Sequence, residues 1–189
     1  MWQNSKSRQI LQAVAPKDMQ KQLRGAMSRE QGLLFERMIE QACDYYRTKG
    51  IADIEKTPEP MQPVKDLGNG RFIAHYVKAA QADFKGILRG GRSINFEAKF
   101  TSGGKIEQAR VTADQTERLE RTETLGGLSF VLCGFIGGMV YRVPWAVWRD
   151  LKGHYGHKYI TASEADPYRV RIGGPGVPLF LEGLEETSC

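Results

Sequence analysis

Apolar positions first fall into a helical rhythm at Phe35, Ile39, Ala42 and Tyr46, one face of a 3.6-residue period. Ser28 with Gln31 fits a capping box, and Gly50 is a natural terminator, so the pattern predicts a helix over 29–49. The short run "IADIEK" predicts a strand over 51–56. In "TPEPMQP", Pro58, Pro60 and Pro63 argue against regular structure, since proline suits neither a helix interior nor a central strand. The chain continues through "VKDLGNGRFIAHYVKA", whose Gly-Asn-Gly turn predicts a projecting hairpin or loop pair. An excursion this long inside one domain is usually functional or disordered. "AQADFKGILRGGRSINFEAKF" reads as two strands around Gly90-Gly91, and "TSGGK" as a loop. A helix follows, capped by Thr112 and ended by Gly126. Strands near 128–135 and 139–143 flank Gly137-Gly138, and Pro144 opens a short helix over 144–152. The tail, 153–189, carries turn signals and one or two short strands. This order implies an α/β fold with a mixed sheet flanked by helices.

With 189 residues the chain can bury the core of one domain. Its net charge of +5 favours a polyanionic partner without demanding one. Cys43, Cys133 and Cys189 are far apart and form no CxxC pair, so we expect reduced thiols and a cytoplasmic location. The apolar stretch 126–148 is interrupted by Gly137-Gly138 and contains Arg142, which argues against a membrane span. The N-terminus lacks the apolar region of a signal peptide. Residues 1–27 set Lys6, Arg8, Lys17, Lys21 and Arg24 against Asp18 alone, and are expected to form a basic flexible arm.

The strand "SINFEAKF" holds the candidate chemistry. Glu97 and Lys99 lie two apart, so alternation turns both to one face while Ile94, Phe96 and Phe100 take the other. Asp83 lies upstream on the preceding predicted strand. Two carboxylates together can hold a hard divalent cation through oxygen. Such a cation activates water towards a phosphodiester, and a nearby ammonium offsets the charge of the transition state. Geometry sets a condition. A two-residue turn at Gly90-Gly91 would put Asp83 opposite Ala98 and turn it away from Glu97. The site therefore requires a three-residue turn, a bend at Asp83, or a bulge such as Gly86 could permit.

At these residues the chain resembles the RecU-type Holliday junction resolvases of the PD-(D/E)xK nuclease superfamily. The matching pieces are "GLLFERMIEQACDYYRTKGIADIEKTPEP", "ADFKG", "INFEAKF", "TADQTERLE" and "GGLSFVLCGF", in that order. The resemblance implies a restriction-endonuclease-like mixed β-sheet flanked by helices, with a projecting stalk. The layout would be the arm at 1–27, a nuclease core at 28–152 with the stalk inserted at 57–80, and a C-terminal extension at 153–189. It also implies a homodimer and Mg²⁺ (or Mn²⁺) held by Asp83 and Glu97, with Lys99 as the catalytic lysine. Glu36 would be the acid that the first helix turns toward the metal, and Gln115 the glutamine on the helix after the E-x-K strand. By position alone, Glu36 reads as an exposed helix glutamate and Gln115 as a polar helix-surface residue. The stalk would bring Lys65, Arg71, Phe72, His75, Tyr76 and Lys78 to DNA, with Lys56 at its base.

The implied activity is structure-selective cleavage of four-way DNA junctions by paired symmetric nicks. Two rivals stand beside it: another PD-(D/E)xK endonuclease acting on duplex DNA, and a non-catalytic junction-binding accessory protein. The chain departs from the family pattern in a short, apolar "HYVKAAQADF" and in Glu55, where a basic residue is usual. These departures suit a divergent member from a phage or mobile element. Elsewhere, His154 and His157 have H-x-x-H spacing but lack further ligands nearby, and Trp145 and Trp148 read as core or dimer interface.

Overall fold

The computed structural model describes residues 17–58, 61–76, 81–174 and 176–184. Helix α1 spans Lys17–Thr48. It starts well before the Ser28 box, which lies inside it. The intervening residues include Met19, Gln20, Lys21, Leu23, Arg24 and Ala26, good helix formers that extend the helix past the cap signal. The expected flexible arm is therefore helical from Lys17 onward, and residues 1–16 lie outside the described residues.

A five-stranded sheet follows, in the order β1 (Ala52–Lys56), β4 (Phe84–Leu88), β5 (Ser93–Thr101), β7 (Leu128–Phe135), β8 (Met139–Pro144). Neighbours are antiparallel except β5 and β7, which run parallel. A parallel pair needs a long crossover. Here β6 (Lys105–Glu107) and helix α2 (Ala113–Thr124) lie along that connection. A separate two-stranded ribbon, β2 (Met61–Gly68) and β3 (Arg71–Tyr76), occupies the excursion between β1 and β4.

Each face of the sheet carries its own core. On one face, Phe35, Ile39, Ala42 and Tyr46 of α1 join Ile54, Phe84, Ile94, Phe96, Phe130 and Leu132. Phe84, Phe96 and Phe130 stack across three adjacent strands, with centroids 4.9 and 4.6 Å apart. Burying one such ring stabilises the fold by about 1.5–3 kcal/mol. The other face meets α2, α3 (Trp145–Trp148) and α4 (Leu151–Tyr155) through Leu119, Val131, Cys133, Val143, Trp145 and Trp148. The helix expected over 144–152 is thus two short helices. Arg149 closes the first, and Asp150 caps the second by accepting the Gly153 N–H at 3.0 Å.

The C-terminal segment is no appendage. Val177, Leu179, Phe180 and Leu181 are buried in the α1-side core. Phe180 packs edge-on against Tyr46 at 5.1 Å, and the Leu181 N–H donates to the Tyr46 hydroxyl at 2.9 Å. Arg142 donates to the carbonyls of Phe180 and Glu182. Upstream, β9 (Tyr159–Thr161) pairs with β6 and leads into α5 (Ala162–Ala165).

Two turns position the functional parts. Between β4 and β5 the register is Phe84 opposite Phe96 and Ile87 opposite Ser93. Leu88 N–H donates to the Arg92 carbonyl, so Arg89, Gly90 and Gly91 form a three-residue turn. Gly90 and Gly91 both take φ near +90°, a conformation glycine adopts freely. This register runs on to set Asp83 opposite Glu97, meeting the geometric condition without a bulge. Gly86 serves another end: a Cβ there would lie 2.1 Å from the Asp53 carbonyl oxygen of β1. In the ribbon, Asn69 and Gly70 both have positive φ and turn β2 into β3. Pro63 pairs within β2, against expectation, because a two-stranded ribbon leaves every strand an edge.

Candidate active site

Strand alternation puts Asp83, Lys85, Asn95, Glu97 and Lys99 on the α2 side of the sheet. There Asp83, Glu97, Lys99 and Gln115 converge. Lys99 Nζ donates to Glu97 Oε2 at 2.7 Å and to Asp83 Oδ2 at 3.1 Å. The Ala98 N–H donates to Asp83 Oδ2 at 3.0 Å, and the Asp83 N–H to Glu97 Oε1 at 3.3 Å. Gln115 Nε2 reaches Asp83 Oδ1 at 3.5 Å. Gln115 also closes the α2 capping box by accepting the Thr112 N–H at 3.0 Å. The cap thus fixes the side chain that leans on Asp83. A second tether, from Asn95 to the Thr122 hydroxyl at 3.0 Å, binds β5 to α2.

The electrostatics are those of a site short of positive charge. The Glu97 side chain is 0% exposed, that of Lys99 12% and that of Asp83 34%. Burial pushes the Glu97 carboxyl up to about 8; Lys99 opposes this and the Asp83 charge adds to it. Burial also works against the Lys99 ammonium, but Asp83 and Glu97 outweigh it and hold its pKa above the ordinary lysine value. One ammonium is shared between two acids. Two carboxylates reaching a common cation match the donor set of Mg²⁺, which binds through one or two carboxylates and keeps water for the rest.

Glu36 is not brought into this group. Its carboxylate and that of Glu40 hold Lys56, at 2.8 and 3.0 Å. No cluster of three acid, histidine or cysteine side chains suited to a metal occurs among the described residues. Lys56 therefore enters any phosphate contact already paired with two acids. His157 bonds Glu164 at 3.0 Å and stacks on Tyr159. Trp145 and Trp148 are buried in the core, and Trp145 Nε1 donates to Glu120 at 2.7 Å.

The ribbon carries the remaining candidates. Every residue of β2 is exposed, and so are Arg71, Phe72 and His75. Lys65 lies opposite Ile73, His75 opposite Gln62 and Arg71 opposite Gly68, while Phe72 lies opposite Asp66. Opposed residues share a face. Lys65, Arg71 and His75 therefore line one face, and Phe72 lies on the other. Tyr76 stands at the register position opposite Met61. Lys78 lies outside the described residues.

Two residues escaped the sequence reading. Lys85 lies on the Asp83 face and donates to Gln81 at 3.1 Å; alternation from Asp83 could have found it. Arg110 donates to the Phe100 carbonyl at 2.6 Å, which sets a guanidinium beside β5. No local signal marks it, because the contact depends on how the β6 segment folds back.

The fold and site together define a mixed α/β protein with an Asp, Glu-x-Lys centre on one face of adjacent strands. The family model described as Recombination protein U matches residues 30–174, and the chain belongs to the RecU family. It is 31% identical over 145 residues to the Holliday junction resolvase RecU of Bacillus pumilus, covering 73% of this chain and 69% of that protein. It is 34% identical over 110 residues to the protein of that name from Streptococcus gordonii, covering 55% of this chain and 54% of that one. The chain thus spans about half the length of the streptococcal relatives it matches. Among solved structures, Hjc, a Holliday junction resolvase of Archaeoglobus fulgidus, aligns with a TM-score of 0.41 at 16% identity, covering 75% of this chain and 92% of that one. No helix among the described residues is long and apolar enough to cross a membrane.

Proposed function

We propose that this protein is a divalent-metal-dependent endonuclease that cuts four-way DNA junctions in the cytoplasm. One observation carries the reading: Asp83, Glu97 and Lys99 meet on one face of adjacent strands, with one ammonium shared by both acids. Asp83 and Glu97 are the residues that would hold Mg²⁺ or Mn²⁺. When bound, the cation would supply Lewis-acid activation of water and phosphate. Lys99 then has its ammonium available for the charge that develops on the phosphate in the transition state. Gln115 keeps the Asp83 carboxylate oriented. The buried wall around Glu97 strengthens each of these interactions by excluding water.

Junction selectivity would come from the ribbon, with Lys65, Arg71 and His75 on phosphates and Phe72 against exposed bases or sugars. Such contacts read shape and backbone, so binding should weaken steeply with salt. A homodimer would match its twofold axis to that of the junction and place one site on each of two strands. Names borne by relatives, "Holliday junction resolvase RecU", support this substrate. The test is Mg²⁺-dependent cleavage of a synthetic four-way junction beside flap and linear duplexes. Paired nicks on the junction alone support the reading. Equal cutting of all three substrates removes the selectivity, and no cutting under any divalent metal removes the enzyme.

A further inference from the structure

Among the described residues, two buried side-chain polar atoms lack a hydrogen-bond partner: Trp148 Nε1 and Thr57 Oγ1. The indole lies within the apolar core between α3 and the sheet. Thr57 has a different setting. Its N–H donates to the Asp83 carbonyl at 2.8 Å. Lys56 lies opposite Phe84, and continuing this pairing by one position sets Thr57 opposite Asp83. Asp83 in turn lies opposite Glu97, by the same extension of the β4–β5 register. Directly opposed residues share a face. Thr57, Asp83 and Glu97 therefore make a lateral row across three adjacent strands, on the α2 side of the sheet.

A buried hydroxyl without a partner is destabilising, and valine would fill the same space without that cost. A buried hydroxyl without a protein partner calls for an explanation, and a bound ion is one that suits its place beside two acids. A cation held by the acid pair still has positions that water or a protein oxygen can take. The described residues bring no third carboxylate to the Asp83–Glu97 pair, and Glu36 is engaged by Lys56. A further acid would add repulsion beside the buried Glu97, whereas a hydroxyl adds a neutral donor atom.

We propose that Thr57 belongs to the divalent-cation site, its hydroxyl supplying a third protein oxygen beside Asp83 and Glu97. The proposal rests on the cation reading of that pair given above. Thr57 is then tied to Asp83 twice, through the backbone ladder and through a shared ion.

The test is calorimetric titration of Mn²⁺ and Mg²⁺ into the full chain, with melting curves in EDTA and in excess cation. The proteins are wild type, Thr57→Val, Thr57→Ser and Asp83→Asn. Thr57→Val should melt at or above the wild-type temperature in EDTA, bind Mn²⁺ about tenfold more weakly, and gain less stability from the cation. Thr57→Ser should bind close to wild type. If Thr57→Val binds Mn²⁺ as wild type does while Asp83→Asn does not, the Thr57 role is rejected and the acid pair stands. A lower melting temperature for Thr57→Val in EDTA also overturns it, because the hydroxyl would then be serving the fold. If wild type takes up neither cation, the cation site fails and Thr57 with it.

Discussion

The β4–β5 pair and the β2–β3 ribbon are both antiparallel hairpins, yet they solve opposite problems. In the first, one face packs Phe84 and Phe96 into the core and the other holds Asp83, Glu97 and Lys99 among buried neighbours. In the second, every residue of β2 is exposed, and the register shifts twice, between Pro63 and Lys65 and between Asp66 and Gly68. A lone two-stranded hairpin is marginal in water. Its apolar Met61, Val64, Leu67, Phe72 and Ile73 all stay half-exposed or more. Under the proposed function, the contrast separates two tasks. Chemistry needs side chains held within tenths of an ångström, which burial and a fixed register supply. Engagement of a large polyanion needs reach, charge and exposed surface.

The largest effects should come from breaking the buried trio. Lys99→Met removes the ammonium that donates to both acids and leaves the Asp83 charge without its partner, which should destabilise the fold by about 3–5 kcal/mol and abolish cleavage. Glu97→Gln keeps the shape, so its melting temperature should stay near wild type while cleavage falls by about 10²–10³-fold. Comparing melting curves with single-turnover cleavage of a labelled junction separates the two outcomes. A Glu97→Gln enzyme that cuts at the wild-type rate would show that the buried acid is structural.

Removing the ribbon should do the reverse. Replacing residues 61–76 by a short glycine-serine link should leave the melting temperature almost unchanged and cost the preference for junction over linear duplex. A sharp loss of stability instead would mean that the ribbon is part of the core.

Within the ribbon, the two faces should respond differently. Arg71→Ala or Lys65→Ala should weaken junction binding and reduce the slope of log affinity against log salt by about one unit each. Phe72→Ala should weaken binding while leaving that slope unchanged. Identical salt slopes for all three variants would erase the distinction between the faces.

The last effect is a pH dependence of the metal-free protein, which reads the buried acid directly. Burial lifts the folded-state pKa of Glu97 from 4.5 to about 8. The folded form then binds the proton more tightly than the unfolded form. Its contribution is fully present below 4.5 and is lost as pH rises toward about 8. In EDTA, wild type should therefore lose melting temperature over that window, and Glu97→Gln should lose less.

Much of this was open to a reader of the chain, and its limits are instructive. The alternation in "SINFEAKF" placed Glu97 and Lys99 on one face because strand geometry is local. The Thr112 cap, the Gly137-Gly138 turn and the Asn69-Gly70 turn were readable for the same reason. The start of α1 lies upstream of Ser28 because a cap residue is a permissive signal that good helix formers override. The contact between Glu36 and Lys56, twenty residues apart, has no local signal in the chain.

Local chemistry along the chain determined the α/β order, the strand that bears E-x-K, the exposed excursion and the candidate residues. Tertiary structure decided what those residues face. Gly90-Gly91 permits either a two- or a three-residue turn, and stacking Phe84 on Phe96 and Phe130 selects the register that sets Asp83 opposite Glu97. The same packing drew the Leu181 N–H to the Tyr46 hydroxyl, 135 residues apart. Such choices depend on surfaces that meet only when distant segments are buried together, so no local pattern contains them.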